Sequence, residues 1–321
     1  MTNYQLLITV LSTMLLPGLI TKSQSGFFRV HTDHGDFTCR LRGKLKQRRQ
    51  ATDLAAIGDR VEVSLQPDGT GMIETVAPRT RVLSRQAPGR GGRGSTRQDD
   101  STEQVIVANP DQVVLVFACA QPAPHLRMLD RFLVVAEVNR LPALICANKL
   151  DLATPEAAHG LFDLYQHLGY AVCYTSARSG AGVAGLHEAL RGKLSVLTGP
   201  SGVGKSRLLN ALQPGLGLQA RAVSEATFKG RHTTVYSELL PLEGGGYVAD
   251  TPGIRSLGLW DVEPEELDGY FIDIKPYVGQ CEFGDCTHLS EPGCAVRRAV
   301  EAGEVAPSRY DSYQRLRQGE G

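Results

Sequence analysis

Gly199-Pro-Ser-Gly-Val-Gly-Lys-Ser206 follows the apolar run Leu194-Ser-Val-Leu-Thr198 and leads into Arg207-Leu-Leu-Asn-Ala-Leu212. That order spells strand, glycine-rich turn and helix, the setting in which a P-loop pattern has physical content. Gly199, Gly202 and Gly204 let the backbone wrap closely around a phosphate, with the unpaired N–H groups of a helix start facing the charge. Pro200, Ser201, Val203 and Arg207 fill out the same cradle. Lys205 is spaced to reach the terminal phosphates, and the Ser206 hydroxyl is spaced to ligate Mg²⁺.

Upstream of this turn, apolar runs alternate with helical spacing, the mark of a parallel sheet covered on both faces. Strands are expected at 113–117, 141–147 and 171–175, with a helix at 126–138. The second of these strands delivers Asn148-Lys149-Leu150-Asp151. A carboxylate there accepts from N1–H and the 2-amino group of guanine. Adenine offers neither donor and leaves a desolvated acid unpaired. Asn148 is suited to hold the loop and approach N7, and the Lys149 stem to lie over the ring. The third strand ends in Ser176-Ala177-Arg178, a turn that can present a backbone N–H to guanine O6.

Downstream of the P-loop, Lys229-Gly-Arg-His-Thr-Thr234 precedes Gly246-Tyr-Val-Ala-Asp-Thr-Pro-Gly253. Asp250 at a strand end suits an outer-shell contact to Mg²⁺, and the Gly253 amide suits the γ-phosphate and a switch hinge. Thr233 or Thr234 completes the metal shell, a choice the sequence leaves open. Ile254 stands where many GTPases place a water-orienting glutamine. It cannot hydrogen-bond water, so another group has to do so, and His232 is the polar candidate. The order is the anomaly: the base-reading motifs precede the P-loop, where standard GTPases run the other way. The domain is circularly permuted.

The rest of the chain frames this domain. Its 321 residues exceed one compact core, and 34 basic residues balance 34 acidic ones, so net charge indicates no partner. No apolar run reaches transmembrane length, and no membrane association is expected. The run from Gln5 to Leu16 resembles a short signal core, but it lacks a basic lead and a small-residue cleavage site. Residues 1–16 are therefore set apart as an N-terminal extension, read as an extra strand or helix or as a start placed ahead of Met14. Seven cysteines without a paired framework suit a reduced, cytoplasmic protein.

Short strands at 18–22, 26–32, 36–42, 59–65 and 71–77, punctuated by Gly and Asp turns, predict an OB-like barrel over 17–80. Arg40, Arg42, Lys44 and Lys46 alternate as if along one face of a strand, followed by Arg48 and Arg49. Six cations without an intervening acid make a phosphate-tracking surface for RNA. Residues 81–104 contain the run Gly89-Arg-Gly-Gly-Arg-Gly94 and read as a flexible linker.

Near the C-terminus, Cys281, Cys286, His288 and Cys294 offer three thiolates and one imidazole, the donor set of a closed, structural Zn²⁺ site. Helices are expected at 295–302 and 307–316, and their Arg297, Arg298, Arg309 and Arg315 either meet RNA or form a solvated face.

Taken together, the barrel, Asn148 to Asp151, the P-loop, the Gly230-to-Thr234 run, Asp250 to Gly253 and the cysteine cluster resemble one family over nearly the whole chain. It is the circularly permuted, ribosome-small-subunit-dependent GTPases of bacteria. The resemblance implies hydrolysis of GTP to GDP during late small-subunit (30S) maturation, stimulated by the subunit, with barrel and C-terminal domain gripping 16S rRNA. It also favours His232 as the catalytic residue beside Lys205 and the two threonines. Two features depart from the family pattern: Val235 replaces a usual third threonine, and the Arg/Gly stretch is long.

The expected architecture is thus multi-domain α/β. An OB-like β-barrel leads into a permuted P-loop GTPase at 105–258, and a helical zinc-binding domain follows at 259–321, in a monomer. The alternatives are a nucleotide-gated RNA-binding module with incidental hydrolysis, and an ATPase.

Overall fold

Alternating burial builds the N-terminal sheet. β1 (Leu15–Gln24), β2 (Phe27–Thr32), β3 (Gly35–Leu41), β4 (Arg60–Leu65) and β5 (Gly71–Val76) close into a barrel of order β1-β2-β3-β5-β4. The computed structural model describes residues 14–46, 53–86, 103–216, 238–250 and 262–320. Phe28, Val30, Phe37, Cys39, Val61, Val63 and Ile73 point inward at every second position, as a half-buried strand requires. Gly71 is fixed by close approach: a Cβ there would lie 2.4 Å from Cys39 Sγ and 2.7 Å from Val63.

Two expectations for this region need correction. Leu15 and Leu16 pair with Ser64 and Val63, so they belong to the first barrel strand and not to an extension. Residues 1–13 lie outside the described set. The basic run is not one face of a strand either, because β3 ends at Leu41 and Gly43–Lys46 turns into a short helix. Arg40 stacks 4.4 Å over the Phe27 ring, and Arg42 is engaged by Glu74. Lys44 is exposed, while the Lys46 side chain, Arg48 and Arg49 fall outside the described set.

The expected linker is also different at its ends. β6 (Val82–Gln86) pairs antiparallel with β7 (Glu103–Ala108), so the stretch connects two strands of one hairpin. Leu83 and Val107 are buried in the cluster that also holds barrel residues and Leu194, Val196 and Ala249 of the next sheet. Residues 87–102, which carry the Arg/Gly run, lie outside the described residues.

The nucleotide sheet contains β8 (Gln112–Ala118), β9 (Ala143–Asn148), β10 (Ala171–Tyr174), β11 (Leu194–Thr198), β12 (Leu239–Pro241) and β13 (Tyr247–Asp250). Its order is β10-β9-β8-β11-β13-β12, parallel throughout except for the edge pair β12 and β13. Four helices connect or follow the strands: α1 (Leu126–Val138), α2 (Pro155–His167), α3 (Val183–Leu190) and α4 (Lys205–Leu212). β8 is buried at every position. Leu115 and Phe117 meet Leu129, Phe132 and Phe162 on one face. Val114 and Val116 meet Leu186, Leu190, Leu208 and Leu209 on the other. The P-loop strand β11 is central, and the chain reaches it through α3, which is the permutation in structural terms.

Barrel and sheet touch at a defined point. Lys22 on β1 forms a backbone bridge to Glu238 and donates from Nζ to its carboxylate at 2.7 Å, while Arg29 lies 3.7 Å from the other oxygen.

The C-terminal part packs α5 (Ala295–Glu301), α6 (Pro307–Arg317) and two 3-10 turns around Leu267, Phe271, Ile274, Val296 and Tyr313. Val134 of α1 joins that cluster, so this part rests on the nucleotide domain. Arg309 corrects an expectation: only 1 % exposed, it neither meets RNA nor forms a solvated face. Its guanidinium donates to Asp130 Oδ1 at 2.7 Å and to both Asp273 oxygens at 2.8 and 3.2 Å. Tyr165 and Ser312 hydroxyls donate to Asp130 as well, which satisfies the buried charges. Arg297, Arg298 and Arg315 bond to nearby carbonyls or carboxylates. Among the described residues no helix is long and apolar enough to cross a membrane.

Candidate nucleotide pocket and metal centre

The P-loop leaves β11 at Gly199, whose φ is 146° and whose Cβ would lie 2.0 Å from Val116 O. No side chain fits there. Val203 is buried and anchors the turn, and Gly204, at φ 96°, precedes the first residue of α4. Lys205 Nζ donates to Gly199 O at 2.8 Å and Pro200 O at 2.9 Å, which holds the ammonium across the loop. Ser206 and Arg207 lie in the first turn of α4, and Ser201 and Gly202 are exposed at the tip.

Asn148 is 1 % exposed and joins three loops. Its Nδ2 donates to Val203 O at 2.9 Å, and its Oδ1 accepts from Thr175 Oγ1 at 3.2 Å and from the Ala177 amide at 3.3 Å. Lys149 takes φ 62° and its ammonium donates to Gln121 O, while the Leu150 amide donates to Thr175 O at 3.0 Å. Asp151 Oδ1 accepts from Ser176 Oγ at 2.6 Å, which fixes the carboxylate plane. Arg178 stands 4.0 Å from the other oxygen and is largely exposed.

These groups surround a cavity of about 260 Å³ whose wall includes Gln121, Lys149, Asp151, Ala177, Gly204 and Arg207. Gln121 was not anticipated as a site residue. Its signal is positional: it follows β8, and ligands of open α/β sheets sit at the carboxyl ends of the strands. The Asp250 side chain, Gly253, Ile254, His232, Thr233 and Thr234 lie outside the described residues.

The family model for RsgA GTPase matches residues 76–260, and that for the RsgA N-terminal domain matches residues 17–73. The chain belongs to the RsgA GTPase family. A relative called small ribosomal subunit biogenesis GTPase RsgA, from Gemmatimonas aurantiaca, is 47 % identical over 94 % of this chain and 96 % of its own length. One of the same name from Moorella thermoacetica is 42 % identical over 93 % and 95 %.

The crystal structure of YjeQ from Thermotoga maritima superposes with a TM-score of 0.76 at 36 % identity, covering 96 % of this chain and 99 % of that one. YloQ, described as a circularly permuted GTPase, gives 0.72 at 32 %, covering 96 % and 95 %. The permutation read from motif order is thus a property of the family, and the chain is a GTPase, hence a hydrolase.

The second cluster of this family member lies in the C-terminal part. The ligand atoms of Cys281, Cys286, His288 and Cys294 all lie within 4.8 Å of one another. His288 Nδ1 is 3.5 Å from both Cys281 Sγ and Cys294 Sγ, and those two sulfurs are 4.0 Å apart. A tetrahedral ion with bonds of about 2.3 Å to sulfur and about 2.0 Å to nitrogen requires N···S near roughly 3.5 Å and S···S near roughly 3.8 Å, so the donors fit. The cluster can hold a metal ion.

The surroundings favour thiolates unevenly. Burial raises the Cys281 thiol, but amide hydrogen bonds, among them Ala295 N at 3.3 Å, outweigh it and bring the thiol below its ordinary value. Burial pushes Cys286 up to about 12, a cost that a bound cation would offset.

His288 Nε2 lies 3.1 Å from Asp268 Oδ2, which fixes the ring with Nδ1 toward the sulfurs. Asp268→Asn is expected to weaken metal affinity by about 10–100-fold while keeping all four donors. Competition with a chromogenic chelator measures this, and equal affinities would remove Asp268 from the site.

Proposed function

We propose that the protein hydrolyses GTP to GDP and phosphate in late maturation of the small ribosomal subunit, that it binds 16S rRNA, and that the subunit stimulates its turnover. The observation carrying the guanine assignment is the Asp151 carboxylate, held by Ser176 at one side of a cavity whose other side is the P-loop. Names of relatives 47 % and 42 % identical over nearly full length support the ribosomal role.

In this reading Asp151 pairs with guanine, the Ala177 amide reads O6, and Asn148 holds the loops around the base. Lys205 leaves the Gly199 and Pro200 carbonyls for the β- and γ-phosphates, where it offsets developing charge. Mg²⁺ would be held by Ser206 and Thr234, with Thr233 as the other candidate and Asp250 in its outer shell, and the Gly253 amide would meet the γ-phosphate. His232 orients the attacking water. Zn²⁺ in the Cys281, Cys286, His288 and Cys294 site staples the C-terminal part without entering the chemistry. The protein acts as a cytoplasmic monomer. Of the basic residues proposed to meet RNA, Arg40 beside Phe27, half-exposed Arg42 beside Glu74 and exposed Lys44 are within the described set.

Turnover of GTP measured alone, with small subunits and with large subunits tests the reading. Stimulation by small subunits only is expected. A rate that ignores subunits, together with subunit binding, would instead mark an RNA-binding module whose hydrolysis is incidental.

A further inference from the structure

Cys146 on β9 and Cys173 on β10 are register partners in neighbouring parallel strands. Register partners point to one face of a sheet. Here it is the face covered by α3 and α4, where both side chains join the same apolar cluster. Adjacent strands run about 4.8 Å apart, inside the Cα separation of roughly 4.4–6.8 Å that a disulfide spans. Cys146 is fully buried, whereas Cys173 sits on the edge strand and is partly exposed. Cys119, the nearby third thiol, packs on the opposite face.

The pair lies directly beneath the loop tether described above. Cys146 Sγ is 3.3 Å from Thr175 Oγ1. That hydroxyl donates to Asn148 Oδ1 at 3.2 Å, so it accepts from the thiol, and Asn148 in turn holds Val203 O. Cys146 has one S–H to give, and both Cys173 and Thr175 are within its reach. Cys173 beside it, with burial adding to the effect, raises the Cys146 thiol, so Cys146 stays protonated. Cys173, partly exposed on the edge strand, is the sulfur a peroxide can reach. Its neighbour Cys146 brings the Cys173 thiol below the ordinary value despite burial, which favours Cys173 as the nucleophile.

We propose that Cys146 and Cys173 are a peroxide-sensitive thiol pair whose disulfide loosens the Asn148 tether and lowers affinity for guanine nucleotides. The Cys173 thiolate attacks a hydroperoxide, breaking the O–O bond and forming a sulfenic acid with release of an alcohol, or of water from hydrogen peroxide. Cys146 sulfur then attacks the Cys173 sulfur and expels water. Two thiols lose two electrons and two protons, and one peroxide takes them up. The disulfide has no S–H, so Thr175 Oγ1 loses its donor, and drawing the sulfurs to about 2.05 Å pulls Cys146 toward β10. Thr175 and Asn148, each two residues along from a bridged cysteine, move with their strands.

The proposal rests on the guanine-site reading, and its test separates the two. Zinc-loaded full-length protein is treated with graded hydrogen peroxide, and zinc content, cysteine linkage by peptide mass mapping and affinity for GDP are read from the same samples. A linked Cys146–Cys173 peptide is expected, with the Kd for GDP raised up to about tenfold, the effect of one hydrogen bond, and restored by dithiothreitol. Cys173→Ser should bind GDP as the reduced wild type does and keep that affinity through the same treatment. Two alkylatable thiols after denaturation, a linkage to Cys119, or a linked protein binding GDP unchanged would each overturn the proposal. Failure of the reduced wild type to bind GDP would count against the guanine site, while the peptide map would still report on the pair.

Discussion

Asp151→Asn is expected to weaken GTP binding by about 10²–10⁴-fold, the loss of two hydrogen bonds to a charged acceptor. It should also turn preference toward xanthosine nucleotides. The carboxylate accepts from N1–H and the 2-amino group, and the amide can accept only once on that edge while presenting a donor to a donor. Xanthine carries a 2-oxo group instead, which the amide N–H meets. Ser176 Oγ donates to Asp151 Oδ1 at 2.6 Å and would hold the amide oxygen in the same place, so the amide nitrogen takes the outer position. Arg178, 4.0 Å from that outer oxygen and largely solvent-exposed, adds little to the wild-type site and changes the outcome little. Competitive titration of GTP and XTP against a fluorescent GDP analogue measures both effects. Unchanged GTP affinity would place the base elsewhere.

The nucleotide half of the molecule was legible because its signals are local. β8 is buried at every position, so its continuous apolar run reads as an inner strand, and the P-loop strand is equally buried. In the barrel, strict alternation in β2 fixed which residues face inward. What escaped was decided by partners distant in sequence. Arg309 looks like any helix-surface arginine until Asp130, 179 residues upstream, and Asp273 close around it. Glu74, which β5 brings beside half-exposed Arg42, was likewise hidden by its distance in sequence. The hairpin of β6 and β7 was hidden by the arginines and glycines that follow Gln86, although Leu83, Val105 and Val107 already alternated. Gln121 escaped for a different reason: it carries no motif and gains its place only from the sheet order.

The metal-binding part shows how local spacing and distant packing combine. The four donors lie close in sequence, yet the Asp268 carboxylate that orients His288 comes from a 3-10 turn that the cysteine pattern does not include. α6 then seals the cluster: Tyr310 and Tyr313 hydroxyls donate to the His288 and Thr287 carbonyls at 2.6 and 2.8 Å. Through Arg309 the same helix grips α1 of the nucleotide domain. Loss of metal should therefore loosen α6 before it disturbs the P-loop, whose own contacts run to Asn148 and Val116.

His232→Ala is expected to leave GTP and small-subunit binding near normal and to remove most of the stimulated rate, by about 10²–10⁴-fold. Ile254 puts no hydrogen-bonding side chain where a water-orienting glutamine would stand. The work then falls to a polar residue of the other switch, and His232 lies beside the threonines proposed to reach Mg²⁺. The fold supplies an anchor for that stretch. Glu238, six positions after His232 in the sequence, is bridged to Lys22 of the barrel, so the RNA docking proposed for the barrel would bear on the same segment of chain that carries the histidine. Subunit binding would thereby fix the water geometry, an effect of positioning and not of new chemistry. Ile254→Ala should cost far less, since it removes only shielding from solvent. Single-turnover hydrolysis with saturating small subunits, alongside nucleotide affinity, separates the steps. A His232→Ala protein hydrolysing at the wild-type stimulated rate would assign the water to the threonines or to the ribosome.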